Sequence, residues 1–181
     1  DLYLVTKDKK YLNSAQQAAN FLISSQNQDG SWTQFTHNSV PKTYHSRVAY
    51  ALLKLYEINR KVILKKAAIK QLDWVLSRQL KNGFVTNGEL PVAKYPFTIT
   101  HTIAYVAEGL LYSAKILKSN KYQTAALRII DKVHQHYLSY NELPSYFDQN
   151  WKPQEKFGCL TGEAQFAILF METYKIKNDQ S

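Results

Sequence analysis

The stretch THTIAYVAEGLLYSAKIL, residues Thr100 to Leu117, decides the fold. At about 100° per residue, His101, Tyr105, Glu108 and Tyr112 fall on one narrow stripe of a helix about 27 Å long. Ala104, Ala107, Leu111 and Ala114 form a second stripe, small and apolar, on which a neighbouring helix can approach closely. A helix carrying both stripes needs partners on more than one side. Thr100 is the expected N-cap, and Pro96 belongs to the loop before it.

Working outward from this helix, the same kind of unit recurs. Asp1 to Leu12 read as a lead-in, and Asn13 or Ser14 caps a helix to about Ser25 whose apolar face is Ala15, Ala18, Ala19, Leu22 and Ile23. It stops at Gln26-Asn27-Gln28-Asp29-Gly30, a turn rich in residues that tolerate left-handed backbone, and Trp32 is expected to fold back onto the helix end. The second helix is YHSRVAYALLKLYEI, closed by Asn59. The third runs from Lys61 to about Leu80 and ends at Lys81-Asn82-Gly83, with Phe84 in the place of Trp32. After a loop with Pro91 and Pro96 comes the Thr100 helix. Ser119-Asn120 then open a helix to about Leu138, and a long loop with Pro144 and Pro153 leads to LTGEAQFAILFMETYKI.

Gln26 aligns with Gln79, Gly30 with Gly83, and His45 with His101 and Thr161. The chain therefore reads as a single all-α domain, residues 1–181, of three helical hairpins. Such an array leaves an apolar edge at each end, so a missing set of hairpins or a second copy (a homo-oligomer) is expected to cover them.

The 181 residues and 45% hydrophobic content suffice to bury about 70% of the unfolded chain's surface. No segment approaches the ~18 consecutive apolar residues of a membrane span. No signal-peptide pattern opens the chain, which favours the cytoplasm. The net charge of +9 is spread along the chain, and Lys61, Lys65, Lys66 and Lys70 fit a solvated helix face. With neither a basic arm nor a reading module, nucleic acid is not an expected partner. The single Cys159 excludes an internal disulfide, and His37, His134 and His136 lack metal-ligand spacing, so no metal or cofactor is expected.

Ala18-x-x-Phe21-Leu22-x-x-x-Gln26-x-x-x-Gly30-x-Trp32 resembles the QW repeat of the squalene cyclase and prenyltransferase-like α/α toroids, with Gln17 where the repeat carries a basic residue. In a degenerate second copy Trp74, Val75, Gln79 and Gly83 fit, whereas Gln71 and Val85 do not. DGSW (29–32), VPKTYHSRVAYALL (40–53), LDWVLSRQLKNGF (72–84), THTIAYVAEGLL (100–111), LPSYFDQNW (143–151) and CLTGEAQFAI (159–168) resemble a bacterial family of such toroids associated with surface-polysaccharide gene clusters. The resemblance covers nearly the whole chain but only about the later half of a family member. It implies part of an (α/α)6 toroid, second-of-pair helices inside, and a glycan ligand. It would also gather Trp32, Tyr44, His45, Arg47, His101, Thr102, Tyr105, Asp148, Trp151, Cys159, Thr161 and Gln165 at one mouth of the ring.

His101, Tyr105 and Glu108 are the candidate catalytic group, since imidazole, phenol and carboxylate on one stripe can transfer protons and bind hydroxyls. The alternative is a buried polar ladder satisfying loop carbonyls. A carboxylate amid Ala104, Ala107 and Leu111 is costly to bury without a partner. Arg47 is that partner, the holder of an anionic substrate group, or a loop clamp. Tyr44, His45, Asp148, Trp151 and Gln165 complete the expected substrate-binding set, with Trp151 as a sugar platform and Asp148 as a second acid for paired-acid hydrolysis. Trp32 is expected to be a structural plug. Terpene chemistry is argued against by the lack of DxDD and DDxxD, and phosphate-loop and dinucleotide fingerprints are missing. The expected function is binding or modifying a bacterial glycan by acid/base chemistry, as a hydrolase, lyase or epimerase. The alternative is a non-catalytic helical-repeat module.

Overall fold

The computed structural model describes residues 1–89 and 97–178, so Pro91 and Pro96 lie outside the described residues. Seven helices dominate it: α1 (Leu2–Thr6), α2 (Lys9–Ser24), α3 (Ser46–Asn59), α4 (Val62–Ser77), α5 (Thr100–Leu117), α6 (Asn120–Tyr140) and α7 (Leu160–Asn178). Three short strands, β1 (Thr98–Ile99), β2 (Pro144–Phe147) and β3 (Pro153–Gly158), form an antiparallel sheet in that order. It pairs Thr98 with Phe147 and Tyr146 with Gln154.

The α5 helix has the limits its periodicity implies, and it sits at the centre of the array between α3, α6 and α7. Ala104, Ala107, Leu110 and Leu111 are fully buried, and each leucine contributes about 1.5–3 kcal/mol of apolar burial. α3 crosses α5 closely because Gly109 has no side chain: a Cβ there would lie 2.4 Å from the Ser46 backbone carbon. On the other side α7 approaches through Gly162, where a Cβ would lie 2.9 Å from the His101 nitrogen. Thus α3, α5 and α7 form an inner layer, with α4 and α6 folded back behind it through the tight turns at Arg60 and Lys118, both left-handed.

The recurring turn is built the same way twice. Gln26 Nε2 donates to Gly30 O at 2.8 Å and to Ala67 O, on α4, at 2.9 Å. Gln79 Nε2 donates to Gly83 O at 3.1 Å and to Ala125 O, on α6, at 2.9 Å. Each glycine has positive φ and rests on the next outer helix, Gly30 against Lys70 and Gly83 against Arg128. Trp32 folds back as expected, its Nε1 donating to Leu22 O at 2.7 Å, and Phe84 is buried in the corresponding place.

Several expectations are corrected. The first long helix starts at Lys9, capped by Asp8, whose carboxylate accepts from the Lys10 nitrogen at 2.9 Å, rather than at Asn13 or Ser14. Ile99, not Thr100, is the N-cap of α5. The Thr100 hydroxyl instead donates to Pro144 O, fastening the helix to β2. The third helix ends at Ser77, three residues short of Leu80. The segment read as a long loop between α6 and α7 contains β2 and β3. Its prolines mark strand starts, where a missing N–H costs least.

Candidate functional site

His101, Tyr105, Glu108 and Tyr112 occupy the face of α5 left open between α3 and α7. Three are half-buried and Glu108 is 8% exposed. Helical spacing puts them in line, and the close approach of two neighbours supplies the rest of the site. From α3, Arg47 places its Nε 3.3 Å from Glu108 Oε2 and its guanidinium carbon 4.2 Å from the centre of the Tyr105 ring. The His101 ring lies against the same tyrosine, centroids 4.2 Å apart. From α7, Gln165 meets His101 Nδ1 at 2.8 Å. Arg47, Tyr105, Glu108, His101 and Gln165 are thus one cluster drawn from three helices.

Electrostatics distinguish its members. Burial raises the pKa of Glu108, while Arg47 and then His101 pull it back. The Arg47 side chain remains 46% exposed, so its outer N–H groups stay open to solvent while Nε holds Glu108. One turn further along α5, Tyr112 packs on Tyr50 of α3 with centroids 5.4 Å apart, and its phenol pKa is raised by burial and by Glu172 and Glu108. Beyond it, Lys115 pairs with Glu172 of α7, whose carboxyl is held below its ordinary range by bonds to Lys115 and Lys175. The sequence reading missed Tyr50, Lys115 and Glu172. Their signal was spacing: Tyr50 follows Arg47 by three, Lys115 follows Glu108 by seven, and Glu172 follows Gln165 by seven, each returning to the same helix face.

Other expected site residues make their contacts elsewhere. Tyr44 and His45 form a 3-10 turn resting on α5, but their rings meet edge to face at 5.1 Å, and His45 packs in the same way on Trp32 at 6.2 Å. Burial, with Lys42 second, depresses the His45 pKa, and among the described residues its buried Nδ1 has no hydrogen-bond partner. Asp148 organises the β2–β3 turn, its Oδ1 accepting from the nitrogens of Asn150 at 2.8 Å and Lys152 at 2.9 Å. Trp151 closes that turn at a φ of 63°, packs between Phe84 and Phe147, and donates from Nε1 to Asn82 O at 3.1 Å. Neither makes a described contact with the Arg47–Glu108 cluster. Thr102 is likewise structural, its hydroxyl donating to Gly88 O and Ile99 O. Among the described residues no group of His, Cys, Asp and Glu is arranged to hold a metal ion, and no helix is long and apolar enough to cross a membrane.

No curated protein matches the chain. The family model described as pectic acid lyase matches residues 1–67. Among solved structures, the chain is similar to the cellobiose 2-epimerase of Spirochaeta thermophila DSM 6192, at 18% identity and a TM-score of 0.71, over 84% of this chain and 44% of that one. It is also similar to the cellobiose 2-epimerase of Bacillus thermoamylovorans B4167, at 16% identity and a TM-score of 0.71, over 95% of this chain and 50% of that one. The chain therefore spans about half the length of the solved structures it matches, and its fold is that of part of an (α/α)6 toroid, with the Arg47–Glu108 cluster on the inner helices.

Proposed function

We propose that this open face of the inner helices binds a glycan and moves a proton on it. His101 is the base, Glu108 and Tyr105 exchange protons or hydrogen bonds with sugar hydroxyls, and the open N–H groups of Arg47 receive a carboxylate or ring oxygen. The observation that carries this reading is the convergence of Arg47, Tyr105, Glu108 and His101 on one half-open patch, with burial holding the carboxyl above its usual range. The names of the matched family and structures, pectic acid lyase and cellobiose 2-epimerase, support a carbohydrate substrate. Asp148 spends its carboxylate on backbone N–H groups and so is not available as the second acid of paired-acid hydrolysis, which favours proton abstraction of the lyase or epimerase kind. The half-ring also leaves apolar flanks, which further hairpins or a second copy would cover.

A second reading, a binding module without turnover, draws on the same Arg47–Glu108 pair, because a paired carboxylate is also a structural device. The two are separated by offering pectic acid, uronate oligosaccharides and cellobiose to the wild type and to Glu108→Gln and His101→Gln. The catalytic reading expects unsaturated or epimerised product, lost by at least about 100-fold in both variants. Binding without product, equal in all three proteins, would leave the module.

A further inference from the structure

His101 stands in the first turn of α5 and Gln165 in the second turn of α7, where Gly162 lets the two helices touch. Nδ1 of the ring and Oε1 of the amide lie 2.8 Å apart. An amide oxygen has only lone pairs to offer, so this bond forms when Nδ1 carries the hydrogen, and in the neutral ring Nε2 is then left bare. Among the described residues Nε2 makes no hydrogen bond, and the Tyr105 ring at 4.2 Å fixes the plane in which it lies. A carboxylate in the same place would also stabilise the charged imidazolium. The uncharged amide sets the tautomer without adding a charge.

We propose that Gln165 is a positioning residue that holds His101 as its Nδ1–H tautomer, so that Nε2 is presented as a neutral base. This rests on the reading of His101 as the proton-transferring group, and it moves Gln165 from contact with the substrate to control of that base. A ring nitrogen whose lone pair is held bare at a fixed place suits removal of a carbon-bound proton beside a carbonyl or carboxyl.

The test is a two-bond proton–nitrogen correlation spectrum of the ¹⁵N-labelled protein at alkaline pH, where the ring is neutral, with the His101 signals identified by their loss in His101→Gln. The wild type is expected to show the Nδ1–H pattern. In Gln165→Leu the ring should revert to the Nε2–H form that free imidazole side chains prefer, while Gln165→Glu, which still accepts from Nδ1, should retain the Nδ1–H pattern. Circular dichroism melts establish that both variants are folded. An Nε2–H pattern in the wild type, or a pattern unchanged in Gln165→Leu, overturns the proposal. Because the spectrum is read without substrate, it is independent of turnover: the Nδ1–H pattern in a protein that turns over no glycan upholds the positioning and removes only the catalytic reading.

Discussion

At the scale of single residues, the Arg47–Glu108 pair decides how this face of α5 behaves. Glu108 is nearly buried, and its burial opposes ionisation more than Arg47 and His101 favour it. Arg47→Ala strips away the larger of the two opposing effects, so the Glu108 pKa rises further. In the unfolded chain the carboxyl titrates near 4.5, its ordinary value. Between there and the raised folded value the unfolded form sheds its proton first, and stability falls as pH rises. Arg47→Ala is therefore expected to cost about 1–3 kcal/mol near neutral pH. That is less than the loss of a fully buried pair, because Arg47 is half-exposed. The cost should shrink as the pH is lowered towards 4.5. Urea denaturation of wild type and variant across that range measures it, and a cost that does not change with pH would contradict the account. The need for a partner was legible in the sequence, since a carboxylate on a small apolar helix face calls for a cation, but Arg47 as that partner was one of three readings left open until the structure paired them. The placing of Asp148 and Trp151 was not legible. A polar loop does not reveal which neighbour it folds on: Asp148 is claimed by its own turn, and Trp151 by Asn82 and Phe84 of the turn after α4.

Among elements, helical period and turn chemistry carried most of the reading. α5 has the limits read from its sequence, and the Gln–Gly turns recur with the same donors and acceptors because Gln26 and Gln79 satisfy both their own turn and the next outer helix. What escaped was decided by tertiary partners. β2 and β3 open on prolines that look like loop markers, and Pro144 starts a strand opposite Gly158 of β3 while its carbonyl receives the Thr100 hydroxyl. The place of Gly109 in the contact between α3 and α5 escaped too, since a lone glycine inside a strong helix pattern reads only as a weak spot. Gly109→Ala tests that contact. Alanine is the better helix former by about 1 kcal/mol. Its Cβ, however, would fall 2.4 Å from both the backbone carbon and the hydroxyl of Ser46, so the helices must part. Overpacking of this kind costs about 1–3 kcal/mol, and a net loss in thermal or urea melts is expected. A gain in stability would mean that the crossing is looser than the Ser46 contact indicates.

For the molecule as a whole, the consequence of spanning half a ring is two apolar flanks. Along one, Phe21 and Phe35 stack at 5.3 Å and are 52% and 74% exposed. Along the other, a groove of about 550 Å³ between α6 and α7 is lined by Ile130, His134, Phe170, Met171 and Tyr174, and the last two are 58% and 71% exposed. The interior of the array shows what such faces require, since α5, enclosed by α3, α6 and α7, buries Ile103, Val106, Leu110 and Leu111. α7 carries apolar side chains on nearly all of its faces, a pattern suited to a helix enclosed on every side. The 181-residue chain alone is accordingly expected to self-associate through these flanks, with a weight-average mass that rises above 20.9 kDa as concentration increases in sedimentation velocity. Met171→Lys together with Tyr174→Lys on one flank, or Phe21→Lys on the other, places charge where a partner helix would have to desolvate it, and each should return the chain to its monomer mass. These side chains lie away from the Arg47–Glu108 cluster, so the variants are expected to keep the wild-type His101 spectrum. A wild-type chain that stays monomeric at every concentration, or lysine variants that associate as strongly as the wild type, would show that the flanks are tolerated as free surface.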